Sequence, residues 1–97
     1  MLSIINQIFE ISQKMEQNSI SIIDRNIKRI FSELEDKGYQ IINPINRVYK
    51  ETDTDVEANI VGELMPSSKI VKVLKPIVYL NKGNDFQLIH KGITIVE

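Results

Sequence analysis

The sequence predicts an α+β fold, in which an N-terminal amphipathic helix or helix pair precedes a small antiparallel β domain. Residues 1–43 contain no proline and a single glycine, and their apolar residues recur at helical spacing. Residues 39–97 instead gather β-branched residues into short runs separated by turn-forming residues. We therefore expect a helical dimerisation segment at residues 1–38 and a small β-rich domain at residues 39–97.

Two apolar stripes predict the helical part. The first runs through residues 4–15 in steps of four, three and four positions, and the second repeats these steps through residues 23–34. Such steps place side chains on one face of a helix. The polar segment between the stripes leaves two alternatives open: one long helix that drifts in phase, or two helices with a break. In the second case a helix runs from about residue 20 to residue 37, with Ser19 or Ser21 as its cap.

The two stripes carry more apolar surface than the sheet of one small chain can cover. Self-association through the helices covers the remainder, so we expect a homodimer. The predicted dimer interface consists of Ile4, Ile8, Ile11, Met15, Ile23, Ile27, Ile30 and Leu34.

The second helix is expected to end at "DKGY". Lys37 suits the negative end of a helix, and Gly38 suits the left-handed backbone conformation just beyond it. Beyond this point, "YQII", "DVEANIVGEL", "KIVKVL", "IVYL" and "FQLIHKGITIVE" read as three to five strands of one small antiparallel sheet. Within "KIVKVL", Ile70 faces inward together with either Val71 or Val73. "NKGND" is a hairpin loop, and the last segment breaks or bends at Gly92.

An acidic window surrounds the second of these strands. Asp53, Asp55 and Glu57 alternate along the chain, which places them on one face of a strand. The window does not fit a calcium loop, because the sixth position counted from Asp53 is Ala58 and the twelfth is Leu64. We therefore expect no metal and no other cofactor, and interpret the acidic face as solvated or as part of a protein-binding surface.

No catalytic signature is present in the sequence. His90 is the only histidine, cysteine is absent, and no nucleophile motif or phosphate-binding glycine loop occurs. The protein is therefore not expected to be an enzyme. The absence of cysteine is compatible with a cytoplasmic location, which we expect. The net charge of −1 gives no bias toward nucleic acid, and no apolar run reaches the roughly 20 residues that span a bilayer, so neither nucleic acid nor membrane is an expected partner.

The last strands carry a basic side. Lys72, Lys75 and Lys91 lie among aliphatic and aromatic residues, which is a composition that also occurs in single-strand nucleic-acid binders. Acidic residues balance these lysines over the domain, and this favours a protein partner. The predicted partner-binding residues are accordingly Asp53, Asp55, Glu57, Lys72, Lys75 and Lys91.

The segment "IKRIFSELEDKGYQIINPINRVYKETDTDVEANI" resembles sequences of the GrpE family, the nucleotide exchange factors of Hsp70 chaperones. The family pattern is a helix that ends near a glycine, a proline-containing segment, an aromatic residue and a Glu-Ala pair. Gly38, Pro44, Tyr49 and Glu57-Ala58 fill these positions. Ile70 and Val73 match an Ile-x-x-Val strand. The family ends on a basic residue followed by alternating aliphatic residues. His90 or Lys91 can fill the basic position here, and Ile93, Ile95 and Val96 the aliphatic positions.

This resemblance covers about residues 24–97 and implies a non-catalytic co-chaperone. A GrpE-like protein is expected to pair through its helices, to bind an Hsp70-type ATPase domain through its β domain, and to promote release of ADP. The alternative is a protein-interaction adaptor or complex subunit unrelated to Hsp70.

Overall fold

A computed structural model describes residues 1–18, 21 and 23–97 of the chain. It contains two helices, α1 (Leu2–Gln17) and α2 (Asp24–Asp36), followed by six strands. The strands are β1 (Tyr39–Ile42), β2 (Val56–Ile60), β3 (Ile70–Lys75), β4 (Ile77–Lys82), β5 (Asp85–His90) and β6 (Gly92–Val96). The α+β class is confirmed, and of the two alternatives for the helical part the structure has two helices.

The strands form two three-stranded sheets instead of the single sheet expected. The first sheet has the order β1-β4-β5 and is antiparallel throughout. The second sheet has the order β2-β6-β3, and its β2–β6 pair is parallel. The expectation of a purely antiparallel domain was therefore wrong for this pair. β2 and β3 run in opposite directions, so β6, which lies between them, has to be parallel to one of the two.

The helix boundaries differ from the sequence prediction mainly at the start of α2. Its N-cap is Ile23, and no side chain caps it; the amide of Asp24 instead donates to the carbonyl of Ser21 at 3.1 Å. The prediction that Ser21 is a side-chain cap was wrong, and Ser19 lies outside the described residues, as does the predicted start near residue 20. The predicted end is confirmed, because Gly38 adopts φ +94 directly after the C-cap Lys37.

Both faces of the first sheet are covered by other parts of the chain. Ile77 and Val78 are consecutive in β4, so their side chains point to opposite faces, yet both are fully buried. Val78 packs with Ile5 of α1 and Leu34 of α2, whereas Ile77 packs with residues of the second sheet. The core therefore has two clusters separated by the first sheet.

Helix α1 contacts both clusters. Its Ile5 belongs to the cluster on the helical side, and its Phe9 reaches the cluster that contains Val73 and Ile77. In addition, the side-chain amide of Gln13 donates to the carbonyl of Val73 at 3.0 Å. The helical segment is thus packed on the β domain and shares its core.

Gly92 marks the point where the chain passes from the first sheet to the second. β5 ends at His90 and β6 begins at Gly92, so the predicted break at this glycine is confirmed. A Cβ atom at Gly92 would lie 2.9 Å from Cγ1 of Ile77, closer than side chains tolerate. Glycine is needed here because β6 passes close to the chain that connects β3 with β4.

Candidate protein-binding site

Two β-bulges shape strand β3. Relative to β6, β3 carries one extra residue at Val71 and another at Leu74. As a result its buried residues, Ile70 and Val73, are three positions apart, where a regular strand would bury every second residue. The structure thereby selects Val73, not Val71, as the inward partner of Ile70. Val71 and Leu74 remain 47% and 45% exposed.

The face of the second sheet that points away from the core, here called the outer face, brings together residues from three strands. In the strand register, Glu57 of β2 and Lys75 of β3 both lie opposite Ile93 of the central strand. One row further, Asn59 and Lys72 both lie opposite Ile95. The outer face therefore has polar or acidic residues on one side, two half-buried isoleucines in the middle and two lysines on the other side.

Within the described part of the chain, the charges of the outer face have no ionic partner. Among the described residues, no opposite charge lies within 4.0 Å of Glu57, Lys72 or Lys75. Neighbouring strands are about 4.8 Å apart, so the backbones of Glu57 and Lys75 are roughly 10 Å apart across the central strand. These side chains are consequently free to meet the charges of a partner, around the apolar centre formed by Ile93 and Ile95.

Asp53 and Asp55 do not share the strand face of Glu57, contrary to the sequence prediction. Both precede β2, and both turn toward Arg47. The guanidinium of Arg47 donates two hydrogen bonds to the carboxylate of Asp55, at 2.7 Å and 3.0 Å, and lies 3.7 Å from Asp53. Asp53 also accepts a hydrogen bond from the amide of Lys50 at 3.1 Å.

The Arg47–Asp55 pair perturbs the titration of both groups. The hydrogen bonds from Arg47 lower the pKa of Asp55, and its positive charge acts in the same direction against partial burial. The hydrogen bond to Asp55 likewise raises the pKa of Arg47. Because both side chains are partly covered and the contact is bidentate, the pair holds the loop before β2 in place.

Lys91 lies at the same end of the second sheet as these aspartates. The amide of Gly92 donates to the carbonyl of Asp55 at 3.0 Å, so Lys91 is one residue from a direct contact with the acidic loop. This proximity follows from the parallel β2–β6 pair, which places the starts of both strands side by side. All six residues predicted to bind a partner are therefore on or beside the second sheet.

The predicted dimer residues divide into two groups. Met15, Ile27 and Leu34 are buried within the chain, and Ile8 is half-buried. Ile4, Ile11, Ile23 and Ile30 remain exposed, by 56%, 43%, 43% and 36%. The helices thus retain apolar surface that the sheets do not cover, and pairing through this surface stays a prediction.

His90 is the only histidine of the sequence, and its side chain faces a backbone carbonyl. The Nδ1 atom of His90 lies 3.4 Å from the carbonyl of Pro76, in a half-buried position between strands. Across residues 1–18, 21 and 23–97, no three side chains of the metal-binding types cluster together. In the same described ranges, neither helix has the length and apolar character needed to cross a membrane.

Three residues of this region were not identified from the sequence as part of the site. Arg47 is eight residues from Asp55 in the sequence, and no local pattern predicts the contact between them. Ile93 and Ile95 were matched only as strand residues, and their central place on the outer face requires knowledge of the strand order.

The comparison of the chain with protein-family models, curated proteins and solved structures finds no match.

Proposed function

We propose that the protein is a non-enzymatic, GrpE-like co-chaperone that binds an Hsp70-type ATPase domain and promotes release of ADP. The proposal rests on the sequence resemblance and on one structural observation that supports it: an outer face where Glu57, Lys72 and Lys75 surround Ile93 and Ile95. This composition, charges around an apolar centre, is suited to a protein partner. The proposal includes a cytoplasmic location.

The residues that carry the resemblance have structural roles consistent with it. Gly38 ends α2 with φ +94, and Pro44 is buried. Tyr49 and Ala58 pack against the core cluster between the sheets. Residues in such roles fix the β domain and leave Glu57, the partner of Ala58 in the Glu-Ala pair, exposed on the outer face.

The proposed mechanism is a shift of population. A nucleotide-binding cleft that opens and closes releases ADP from the open state. A protein that binds the open state more tightly than the closed one raises the population of the open state. The outer face would supply the differential contacts, with its charges setting the orientation of the partner and Ile93 and Ile95 supplying apolar contact. No group of the co-chaperone takes part in chemistry.

We further propose that two copies pair through the exposed side of the helices. Ile4, Ile11, Ile23 and Ile30 would be covered by the second copy, which removes apolar surface from water. The alternative function, an adaptor unrelated to Hsp70, would use the same dimer with another partner.

The exchange activity can be tested by the release of a fluorescent ADP analogue from Hsp70-type proteins. Addition of the protein should accelerate release by about tenfold or more, the usual size of such coupling. The variant Lys72→Glu/Lys75→Glu should lose this effect. The variant Lys82→Glu, which changes an exposed lysine of the first sheet, serves as the matched control and should retain it. No acceleration with any of several Hsp70-type proteins would reject the proposal.

The pairing can be tested separately by multi-angle light scattering. The protein should have twice its monomer mass of 11.2 kDa. The variant Ile4→Glu/Ile11→Glu should shift it to the monomer without loss of helical circular dichroism. Val61→Glu, a substitution at a residue that is 53% exposed in the β domain, should not. A strict monomer at high concentration contradicts the pairing but leaves the exchange assay to decide the function.

A further inference from the structure

The charges of helix α2 are separated into two blocks. The residues from Asp24 to Arg29 include three basic side chains and one acidic one, whereas those from Ile30 to Asp36 include three acidic side chains and no basic one. This order is unfavourable for a single helix, because the positive N-terminal end of the helix dipole favours acidic residues and the negative C-terminal end favours basic ones. A neighbouring helix with the opposite order of charges would offset this conflict.

Four of these charged residues form one stripe along the helix, here called the charged stripe. They are Arg25, Arg29, Glu33 and Asp36, which follow one another at helical spacing and are all exposed. Among the described residues, none of the four has an opposite charge within 4.0 Å, although Arg29 and Glu33 are only one helical turn apart. The charged stripe therefore presents two positive charges, followed by two negative charges, to the solvent.

An exposed apolar strip runs beside the charged stripe. Ile23 and Ile30 lie about two helical turns apart on one side of the helix and are 43% and 36% exposed. Asn26 lies between them and is also exposed. On the far side of this strip, Ile27 and Leu34 are buried within the chain. A helix that packs on Ile23 and Ile30 therefore meets the charged stripe on the flank that is open to solvent.

We propose that α2 pairs with α2 of a second copy in antiparallel orientation, around a two-fold axis near Ile30. In a two-fold interface each patch meets its own reversed copy. The order of the charged stripe is complementary to its own reversal. Arg25 would therefore face Asp36 of the second copy, and Arg29 would face Glu33 of the second copy. A parallel pair would instead place like charges side by side.

The self-complementary order favours a second copy over an unrelated partner. Two copies form four ion pairs from a single stripe, and each N-terminal end of α2 lies beside the carboxylates at the other C-terminal end, which the helix dipole favours. This inference rests on the pairing proposed above and adds the orientation and the charged contacts of the two copies. Its tests contain no Hsp70, so their outcome is separate from that of the exchange assay.

The orientation can be tested by disulfide formation in the full chain, because the unaltered sequence contains no cysteine. Ile30→Cys places the two thiols next to the two-fold axis, so oxidation should convert most of this variant to a covalent dimer. Asn26→Cys should give little covalent dimer, because its two thiols would be about 12 Å apart along the helices, beyond the reach of a disulfide. Equal yields of covalent dimer from the two variants would indicate a parallel pair and overturn the proposal.

The charged contacts can be tested by charge reversal and native mass spectrometry. Arg25→Glu/Arg29→Glu makes the charged stripe wholly negative, and Glu33→Lys/Asp36→Lys makes it wholly positive. Each variant alone should pair at least about tenfold more weakly than the unaltered protein, because four exposed ion pairs become four repulsive contacts. An equimolar mixture of the two variants should pair again, as a heterodimer.

The matched control is Lys50→Glu/Lys82→Glu, which changes the net charge as Arg25→Glu/Arg29→Glu does, at two exposed lysines outside α2. It should pair as the unaltered protein does, and unchanged circular dichroism verifies that each variant is folded. A mixture that stays monomeric, or a control that dissociates as strongly as the α2 variants, would overturn the proposal. A monomeric unaltered protein would overturn it together with the pairing, whereas a dimer that fails only the orientation test leaves the pairing in place.

Discussion

The substitution Gly92→Ala tests the packing between the two sheets. The added Cβ atom would lie 2.9 Å from Cγ1 of Ile77, 3.4 Å from the carbonyl oxygen of Lys75 and 3.4 Å from Cγ1 of Val56. Ile77 is fully buried, and the carbonyl of Lys75 belongs to the backbone. The neighbours therefore have little freedom to move aside.

The expected cost follows from two opposing effects. Overpacking of a well-filled core costs about 1–3 kcal/mol. Replacement of glycine by alanine also reduces the freedom of the unfolded chain, which offsets about 0.4–1 kcal/mol. We therefore expect a net loss of about 1–2 kcal/mol in the free energy of unfolding. For a chain of this size this lowers the melting temperature by about 5–15 °C.

Urea and thermal unfolding followed by circular dichroism, at one fixed protein concentration, measure this loss. Gly92→Val should cost more, because its extra methyl groups enter the same contact. Gly83→Asn is the matched control: a Cβ atom there meets nothing within 4 Å, and asparagine tolerates its φ of +71. If Gly92→Ala and Gly83→Asn prove equally stable, the close approach at Gly92 has been misjudged.

Three further predictions concern single side chains. Asp55→Asn should cost about 1–2 kcal/mol by removing the charge-assisted bonds from Arg47. The pKa of Asp55 is lowered in the folded state, so the stabilisation that its carboxylate provides is complete above the unfolded pKa of about 3.9 and is lost as pH falls through the lower folded value. Urea titrations between pH 7 and pH 2 should show this loss in the unaltered protein and not in Asp55→Asn. Thr94→Val should cost about 1–2 kcal/mol, because the buried hydroxyl donates to the carbonyl of Glu57 at 2.9 Å, and Thr94→Ser should recover part of that loss. Phe9→Ala should cost about 3–5 kcal/mol in denaturant unfolding, and a loss below 1 kcal/mol would show that α1 is not anchored in the core.

Features set by adjacent residues were predicted correctly from the sequence. Gly38 ends α2, and the hairpin turn at Gly83 adopts a positive φ of +71 between β4 and β5. In both cases glycine relieves a local steric restriction that the sequence alone reveals. The break at Gly92 belongs to the same group, although the reason for it, a close contact with Ile77, lies in another strand.

Features set by distant residues were not predictable in the same way. The parallel β2–β6 pair depends on which strands become neighbours, and both parallel and antiparallel partners satisfy the alternation in "DVEANI" and "GITIV". The bulges at Val71 and Leu74 changed the period of β3 from two to three, which the alternation could not signal. Asp55 was expected on a solvated strand face, but it precedes β2 and forms an ion pair with Arg47.

The candidate site was predictable residue by residue but not as a surface. Glu57, Lys72 and Lys75 were identified as charged and exposed, and the structure agrees with their exposure. Their common face around Ile93 and Ile95 depends on the insertion of β6 between β2 and β3. A charge pattern in one strand cannot reveal its neighbours two strands away.

The position of β6 also has a consequence for how the chain acquires its shape during synthesis. β6 follows every other strand in the sequence, yet it is the middle strand of the second sheet. Until residues 92–96 leave the ribosome, β2 and β3 have no strand between them, so the second sheet cannot form. Contacts over such separations slow folding, so closure of the core is expected to depend on the arrival of residues 92–96.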